Sequence, residues 1–274
     1  MKVPFCKAQG AGNDFVYTWE AELPGLGKEE LPLLAKAICH RHKGIGADGW
    51  YLVRPGDGQC DAAIRLFNSD GSPAELSGNG TRCAALVLAA TGNVSGLLRI
   101  RTGAGIKTLR MLRMESGAGW LEMDMGRPVL REGGLRYRLP LRDGDREVTL
   151  LDVGNPQCAV IVDSLAFAWQ ALGAEIESHP DFPNRTNVSF VKVLDRHDIE
   201  ARFYERGAGP TLSSGTGATG AVAAAMYLGL VESPVEVRTQ AECLQVSWRG
   251  EGVLLAGPAE IVGKGEFFWQ RRRV

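Results

Sequence analysis

The segment Leu76-Ser77-Gly78-Asn79-Gly80-Thr81 is echoed by Ser213-Ser214-Gly215-Thr216-Gly217-Ala218, at an offset of 214 − 77 = 137 residues in a chain of 274. A repeat at half the length leaves few ways to fold. Each half must follow the same plan, and about 130 residues are enough to bury a core of their own. Both copies follow a glycine-containing loop, Phe67-Asn68-Ser69-Asp70-Gly71 in the first half and Glu205-Arg206-Gly207-Ala208-Gly209 in the second. Both precede a run of small residues, at 83–90 and 221–226, that reads as a helix apolar nearly all round and therefore buried on every side.

Hydrophobic periodicity fills in the rest. In the first half, strand-like residues 2–9 lead through a turn at Gly10-Ala11-Gly12-Asn13-Asp14 to a strand from Phe15. A helix is expected over 28–42, with Leu31, Leu34, Ala35 and Ile38 at helical spacing, followed by a strand over 62–67 and a helix over 81–90. Strands occupy 97–125, with a hairpin at Gly103-Ala104-Gly105. In the second half, strands over 147–152 and 157–162 flank Gly154-Asn155-Pro156, and a helix over 165–177 follows. Strands over 187–193 and 199–204, a helix over 217–228 and further strands from Val235 complete it. The expected class is α/β of the mixed kind, two pseudo-symmetric domains that each wrap a mixed sheet around one buried helix. Residues 1–120, with 260–274 as candidate completing strands, form the first domain and 121–259 the second, with the active site at the cleft between them.

Composition excludes several functions. Hydrophobic residues make up 45% of the chain and charged residues 23%, and the net charge is −1, so no basic field exists to select nucleic acid or anionic lipid. No apolar run approaches the roughly 20 residues that cross a bilayer, and the first residues lack a signal-peptide pattern, so a cytoplasmic location is expected. Arg271-Arg272-Arg273 reads as a solvated tail. The six cysteines have no C-x-x-C spacing, which predicts buried, reduced thiols and neither zinc nor a disulfide framework. Cys39-His40-Arg41-His42 is a poor metal site, because adjacent helical residues point in different directions. His40, His42, His179 and His197 read as surface or capping residues, and no metal is expected.

The chemistry lies in the two echoed loops. A Gly-rich turn ahead of a helix exposes backbone N–H groups at the positive end of the helix dipole, which suits an anion. Gly78-Asn79-Gly80 and Gly215-Thr216-Gly217 both have that form. A carboxylate held there would place its adjacent carbon beside Ser77 on one face and Ser214 on the other. A serine-hydrolase elbow would read G-x-S-x-G and a phosphate loop G-x-x-x-x-G-K-[ST], and neither pattern is present here.

At these residues the chain resembles the diaminopimelate epimerase family. The resemblance is carried by Gly12-Asn13-Asp14-Phe15, Arg41-His42-x-Gly44-Ile45-Gly46-Ala47-Asp48-Gly49, Phe67-Asn68, Gly78-Asn79-Gly80-x-Arg82-Cys83, Gly154-Asn155-Pro156, Arg185-Thr186-Asn187-Val188 and Glu205-Arg206. It implies a cytoplasmic, pyridoxal-phosphate-independent isomerase of lysine biosynthesis that needs no cofactor, is often a homodimer, and closes on an amino-acid substrate. It further implies that Asn13, Asn68, Asn155, Asn187, Glu205 and Arg206 hold the substrate, while Gly78, Asn79, Gly215 and Thr216 hold the reacting carboxylate. An Arg fork suits a carboxylate and Glu suits an ammonium.

The chain departs from the family at three positions. Ser77 and Ser214 stand where the family has the cysteines that remove and return the α-proton, and Gln157 stands where it has histidine. These residues, with Glu205, form the expected catalytic set. A helix N-terminus can bring a thiol near pKa 8.5 to its thiolate at neutral pH, whereas a serine hydroxyl lies several units higher, at about 1.4 kcal/mol per unit. Cys83 and Cys158 do not replace the missing thiols: Cys83 lies about 9 Å along a helix from Ser77, and Cys158 reads as core. The expected function is interconversion of LL- and meso-diaminopimelate by two-base proton transfer. The alternatives are an isomerase, racemase or dehydratase of the same fold acting on another small carboxylic acid, or a non-catalytic ligand-binding paralogue.

Overall fold

A computed structural model describes residues 1–92 and 96–270; Arg271-Arg272-Arg273 lies outside the described residues. The chain divides into two compact units, 1–123 with 258–274, and 124–257.

In the first unit, β1 (Lys2–Gly10) and β2 (Asn13–Trp19) form an antiparallel hairpin. Ala11 and Gly12 both have positive φ, 50° and 83°, as a two-residue turn matched to strand twist requires. The turn is thus shorter than the sequence suggested. The chain then crosses over through α1 (Leu31–Cys39) to β3 (Gly49–Pro55), which pairs parallel with β2. Strand β4 (Ala62–Asn68) returns antiparallel to β3, β5 (Pro73–Ala74) pairs with it briefly, and α2 (Gly78–Ala90) crosses to β6 (Leu97–Thr102), parallel to β4. Antiparallel β7 (Gly105–Glu115) and β8 (Ala118–Gly126) follow.

The second unit opens with β9 (Val129–Leu130) and β10 (Tyr137–Leu139), both antiparallel to β11 (Arg146–Asp152). From there it repeats the plan of the first. β11 and β12 (Pro156–Ile161) form the hairpin, α3 (Trp169–Glu177) crosses to parallel β13 (Asn187–Asp195), and β14 (Asp198–Glu205) returns antiparallel. Next come β15 (Gly209–Thr211), α4 (Gly215–Tyr227) and β16 (Val235–Arg238), the last parallel to β14. Antiparallel β17 (Cys243–Arg249) follows. β18 (Gly252–Phe268) begins in the second unit beside β17 and ends in the first, antiparallel to β1. The mixed α/β class with its internal repeat is the architecture observed.

The core of each unit follows from its central helix. In α2 every residue from Gly78 to Leu88 is buried, and in α4 ten of the thirteen are, because glycine and alanine let neighbouring strands approach closely from all sides. Around α1 lie Leu34, Ile38, Trp50, Leu52 and Phe67, and around α3 lie Leu150, Val160, Ile176, Val188 and Phe190.

Several sequence expectations need correction. The first crossover helix spans only Leu31–Cys39, since Pro32 is tolerated only in a first turn and His40 is already extended. Helix α3 starts at Trp169 rather than residue 165. Helices α2 and α4 start at Gly78 and Gly215, so each Gly-x-Gly is itself the first helical turn and not the loop ahead of it. Strand β3 was not anticipated. Five cysteines are buried as expected, but Cys243 is exposed at the start of β17. Among the described residues, no helix is long and apolar enough to cross a membrane.

Candidate active site

The two helix starts share one geometry. Ser77 is the N-cap of α2, with φ −128° and ψ 123°, and its Oγ accepts from Gly80 N at 3.2 Å. Ser214 is the N-cap of α4, with φ −142° and ψ 124°, and its Oγ accepts from Gly217 N at 3.1 Å. In both, the serine carbonyl also takes the next amide, from Thr81 at 2.8 Å and Ala218 at 2.9 Å. An oxygen or sulfur at an N-cap thus sits where a backbone donor and the helix dipole favour its anionic form.

The second glycine of each motif is required by packing. A Cβ on Gly80 would lie 2.4 Å from the Tyr51 hydroxyl, and one on Gly217 would lie 2.7 Å from the Phe203 ring. Both rings are buried.

Asparagines link each helix start to the hairpin of its own unit. In the first, Asn79 Nδ2 donates to Asn13 Oδ1 at 2.7 Å, and Asn13 Nδ2 donates to Asp48 at 3.2 Å. Arg41 reaches both oxygens of Asp14 at 2.7 Å and Asp48 at 2.6 Å. Burial opposes ionisation of Asp14, but hydrogen bonds and charge from Arg41 and Lys7 hold its carboxyl below the ordinary value. In the second unit, Asn155 Nδ2 donates to Thr216 Oγ1 at 3.3 Å, and Gln157 Nε2 donates to Asn155 Oδ1 at 2.6 Å. Gln157 is 2% exposed, and its Oε1 meets no donor among the described residues.

The remaining expected residues lie at matching strand ends. Asn68, at the end of β4, is opposite Gly49 of β3, and its side chain donates to Ser72 at 3.0 Å. Glu205 ends β14 as Asn68 ends β4, and it accepts from Thr211 at 3.3 Å. Asn187, at the start of β13, accepts from Arg206 N at 3.0 Å and donates to Pro156 O at 3.0 Å. The structure therefore joins Asn13 with Asn79, Asn155 with Gln157 and Thr216, and Asn187 with the Glu205-Arg206 turn. The exposed Arg206 guanidinium contacts Asn184 O at 3.3 Å.

Sequence reasoning gave no role to two supporting residues. Glu177 is 4% exposed, and its Oε1 accepts from Gly207 N at 3.0 Å and Arg185 Nη1 at 3.1 Å, tying the 205–207 turn to the 185–187 segment. Arg185 has φ 58°, a costly backbone state that this clamp helps hold. No local pattern marks Glu177. Arg82 is wholly buried and donates to Asn79 Oδ1 at 2.6 Å; its signal was the family motif Gly78-Asn79-Gly80-x-Arg82-Cys83, in which it stood without a role. Cys83, beside Tyr17, is pushed up to about 12 by burial, and Cys158 is in the core, so neither is poised to react. His40 Nδ1 accepts the amides of His42 and Lys43, a capping role.

Comparison with known proteins covers nearly the whole chain. The sequence model described as diaminopimelate epimerase matches residues 5–131 and 149–262. A diaminopimelate epimerase of Pelotomaculum thermopropionicum is 40% identical over 96% of this chain and 98% of its own. One from Carboxydothermus hydrogenoformans is also 40% identical, over 96% and 99%. In fold, the chain is similar to a hydroxyproline epimerase from Agrobacterium vitis solved with trans-4-hydroxy-L-proline. That match has a TM-score of 0.72 and 15% identity over 97% of this chain and 90% of that one.

Proposed function

Because this chain belongs to the diaminopimelate epimerase family, we propose that it holds diaminopimelate and that both serine loops serve one α-carbon. The reacting carboxylate is taken by the first-turn groups of Gly78, Asn79, Gly215 and Thr216. Asn68, Asn187, Glu205 and Arg206 address the distal amino-acid end, and Asn13 and Asn155 orient the helix starts. The oxygen at one N-cap takes the α-proton as the C–H bond breaks, and the hydroxyl at the other returns a proton to the opposite face, inverting the centre. Charge developing on the carboxylate is stabilised by the two helix starts. Cytoplasmic location and a homodimer accompany this reading.

The observation that carries it is the matched pair of serine N-caps, alike in dihedral angles and in the amide each accepts. With hydroxyls in place of thiols the proton transfers are slow, since each unit of pKa mismatch costs about 1.4 kcal/mol. Ser77→Cys with Ser214→Cys should raise deuterium wash-in at the α-carbon by roughly two to four orders of magnitude, the range a positioned acid–base pair supplies. Calorimetry on the unaltered chain should show binding of LL- or meso-diaminopimelate. Failure to bind either, while a different small carboxylic acid binds, would transfer the assignment to an isomerase with another substrate. Gln157 favours that second reading, because it changes the group beside Asn155.

A further inference from the structure

The two helix starts match in cap, dihedral angles and length, yet they differ in one respect: α2 carries a single charged residue, Arg82, and α4 carries none. The position equivalent to Arg82 is 82 + 137 = 219, occupied by Thr219, which is equally buried and spends its hydroxyl on Gly215 O at 2.9 Å. Among the described residues Arg82 has no carboxylate partner. Its Nη2 donates to the neutral Asn79 amide, and its Nε and Nη1 meet no acceptor among the described residues. Burial lowers it to about 10, which leaves it protonated at neutral pH. The titratable groups that act on it are Cys83 and Tyr17, and burial raises both, so neither supplies an anion.

A buried cation without a counter-charge is costly and makes a negative charge nearby correspondingly favourable. Side chains on a helix lean toward its N-terminus, and the contact with Asn79 places the Arg82 guanidinium against the first turn. The same contact fixes the Asn79 amide, oxygen toward Arg82 and nitrogen toward Asn13, whose own nitrogen is drawn to Asp48. Helix α4 has its dipole, the Ser214 cap and the neutral Asn155 amide at Thr216, and none of its own residues is charged.

We infer that Arg82 is a positioning residue that makes the two half-sites electrostatically unequal, so that the group at position 77 is the more acidic of the two and the one on which negative charge is favoured when a proton is transferred. The inference rests on the assignment of positions 77 and 214 as acid and base, and it gives that pair a definite direction of polarity. It also means that exchanging serine for cysteine at one position is not equivalent to doing so at the other.

Thiols serve as reporters without any substrate. In a Cys243→Ser background, which removes the exposed thiol, Ser77→Cys and Ser214→Cys are made separately. Each thiolate is then titrated by its ultraviolet absorbance, as a difference against the same background with both serines. A unit charge about one helical turn away, at an effective dielectric near 20, predicts that the thiol at 77 titrates roughly one to two pH units below the thiol at 214. Arg82→Met should abolish the gap, and Arg82→Lys should restore part of it, which a merely structural role would not do. Equal titration at the two positions with Arg82 intact overturns the inference, and that comparison stands whether or not Arg82→Met folds. A gap that survives Arg82→Met overturns it as well. Calorimetry with diaminopimelate reads the substrate assignment separately, so the two can fail independently.

Discussion

Removing the same atom from the two serine caps should not cost the same. Ser77→Ala and Ser214→Ala each delete an oxygen that accepts a first-turn amide, at 3.2 Å and 3.1 Å respectively. Ser77 is half-buried, so water can take over the Gly80 amide, and the loss is that of an ordinary N-cap, about 1 kcal/mol. Ser214 is 4% exposed and its bond to Gly217 is buried, so the orphaned amide adds a desolvation penalty and the loss rises to about 2 kcal/mol. These figures correspond to about 5-fold and 30-fold changes in the opening equilibrium. Hydrogen exchange followed by mass spectrometry on peptides covering 78–90 and 215–227 reads the two helices separately. The prediction is faster exchange across α4 in Ser214→Ala than across α2 in Ser77→Ala. Equal acceleration, or a larger effect at Ser77, would refute the argument that burial sets the cost of these caps.

Gly80→Ala gains about 1 kcal/mol of helix propensity but drives a methyl to 2.4 Å from the hydroxyl of Tyr51, a buried ring stacked on Tyr17 at 5.1 Å. Net destabilisation of about 1–2 kcal/mol is expected from urea unfolding, and a stabilised variant would show that the Tyr51 ring can yield. The Asp14 carboxyl has a folded-state pKa below its unfolded value, so its contribution is complete above about pH 4 and is lost as pH falls through the folded value. Thermal midpoints between pH 2 and 6 should therefore fall less steeply in Asp14→Asn than in the parent, and parallel curves would contradict this.

How much of this was legible in the chain depended on repetition. The paired serines and the small-residue helices were found because each occurs twice, and two weak signals in register make a strong one; the flanking asparagines came from the family resemblance. The helix starts were misplaced because glycine disfavours helix in isolation, whereas here Tyr51 and Phe203 leave no room for a side chain at Gly80 and Gly217. The Asn13–Asn79 link joins residues 66 apart, and no local pattern could have shown it. Glu177 was missed, and Arg82 was left without a role, for a related reason: charged residues are expected at the surface, and only three-dimensional contact explains their burial. Strand β3 was lost behind Gly44 and Gly46, which read as the end of an element rather than as an approach to one.

The final strand also bears on how the protein is made. β18 completes the first unit by pairing with β1, and the Met1 amino group donates to Trp269 O at 2.6 Å. Some 250 residues therefore leave the ribosome between the first strand and its partner. The second unit, continuous over 124–257, can reach its native pairing during translation, while the edge of β1 stays open until β18 has been made. Loss of the part of β18 that pairs with β1 would thus be felt first at the β1–β2 hairpin that carries Asn13, some 250 residues away in sequence.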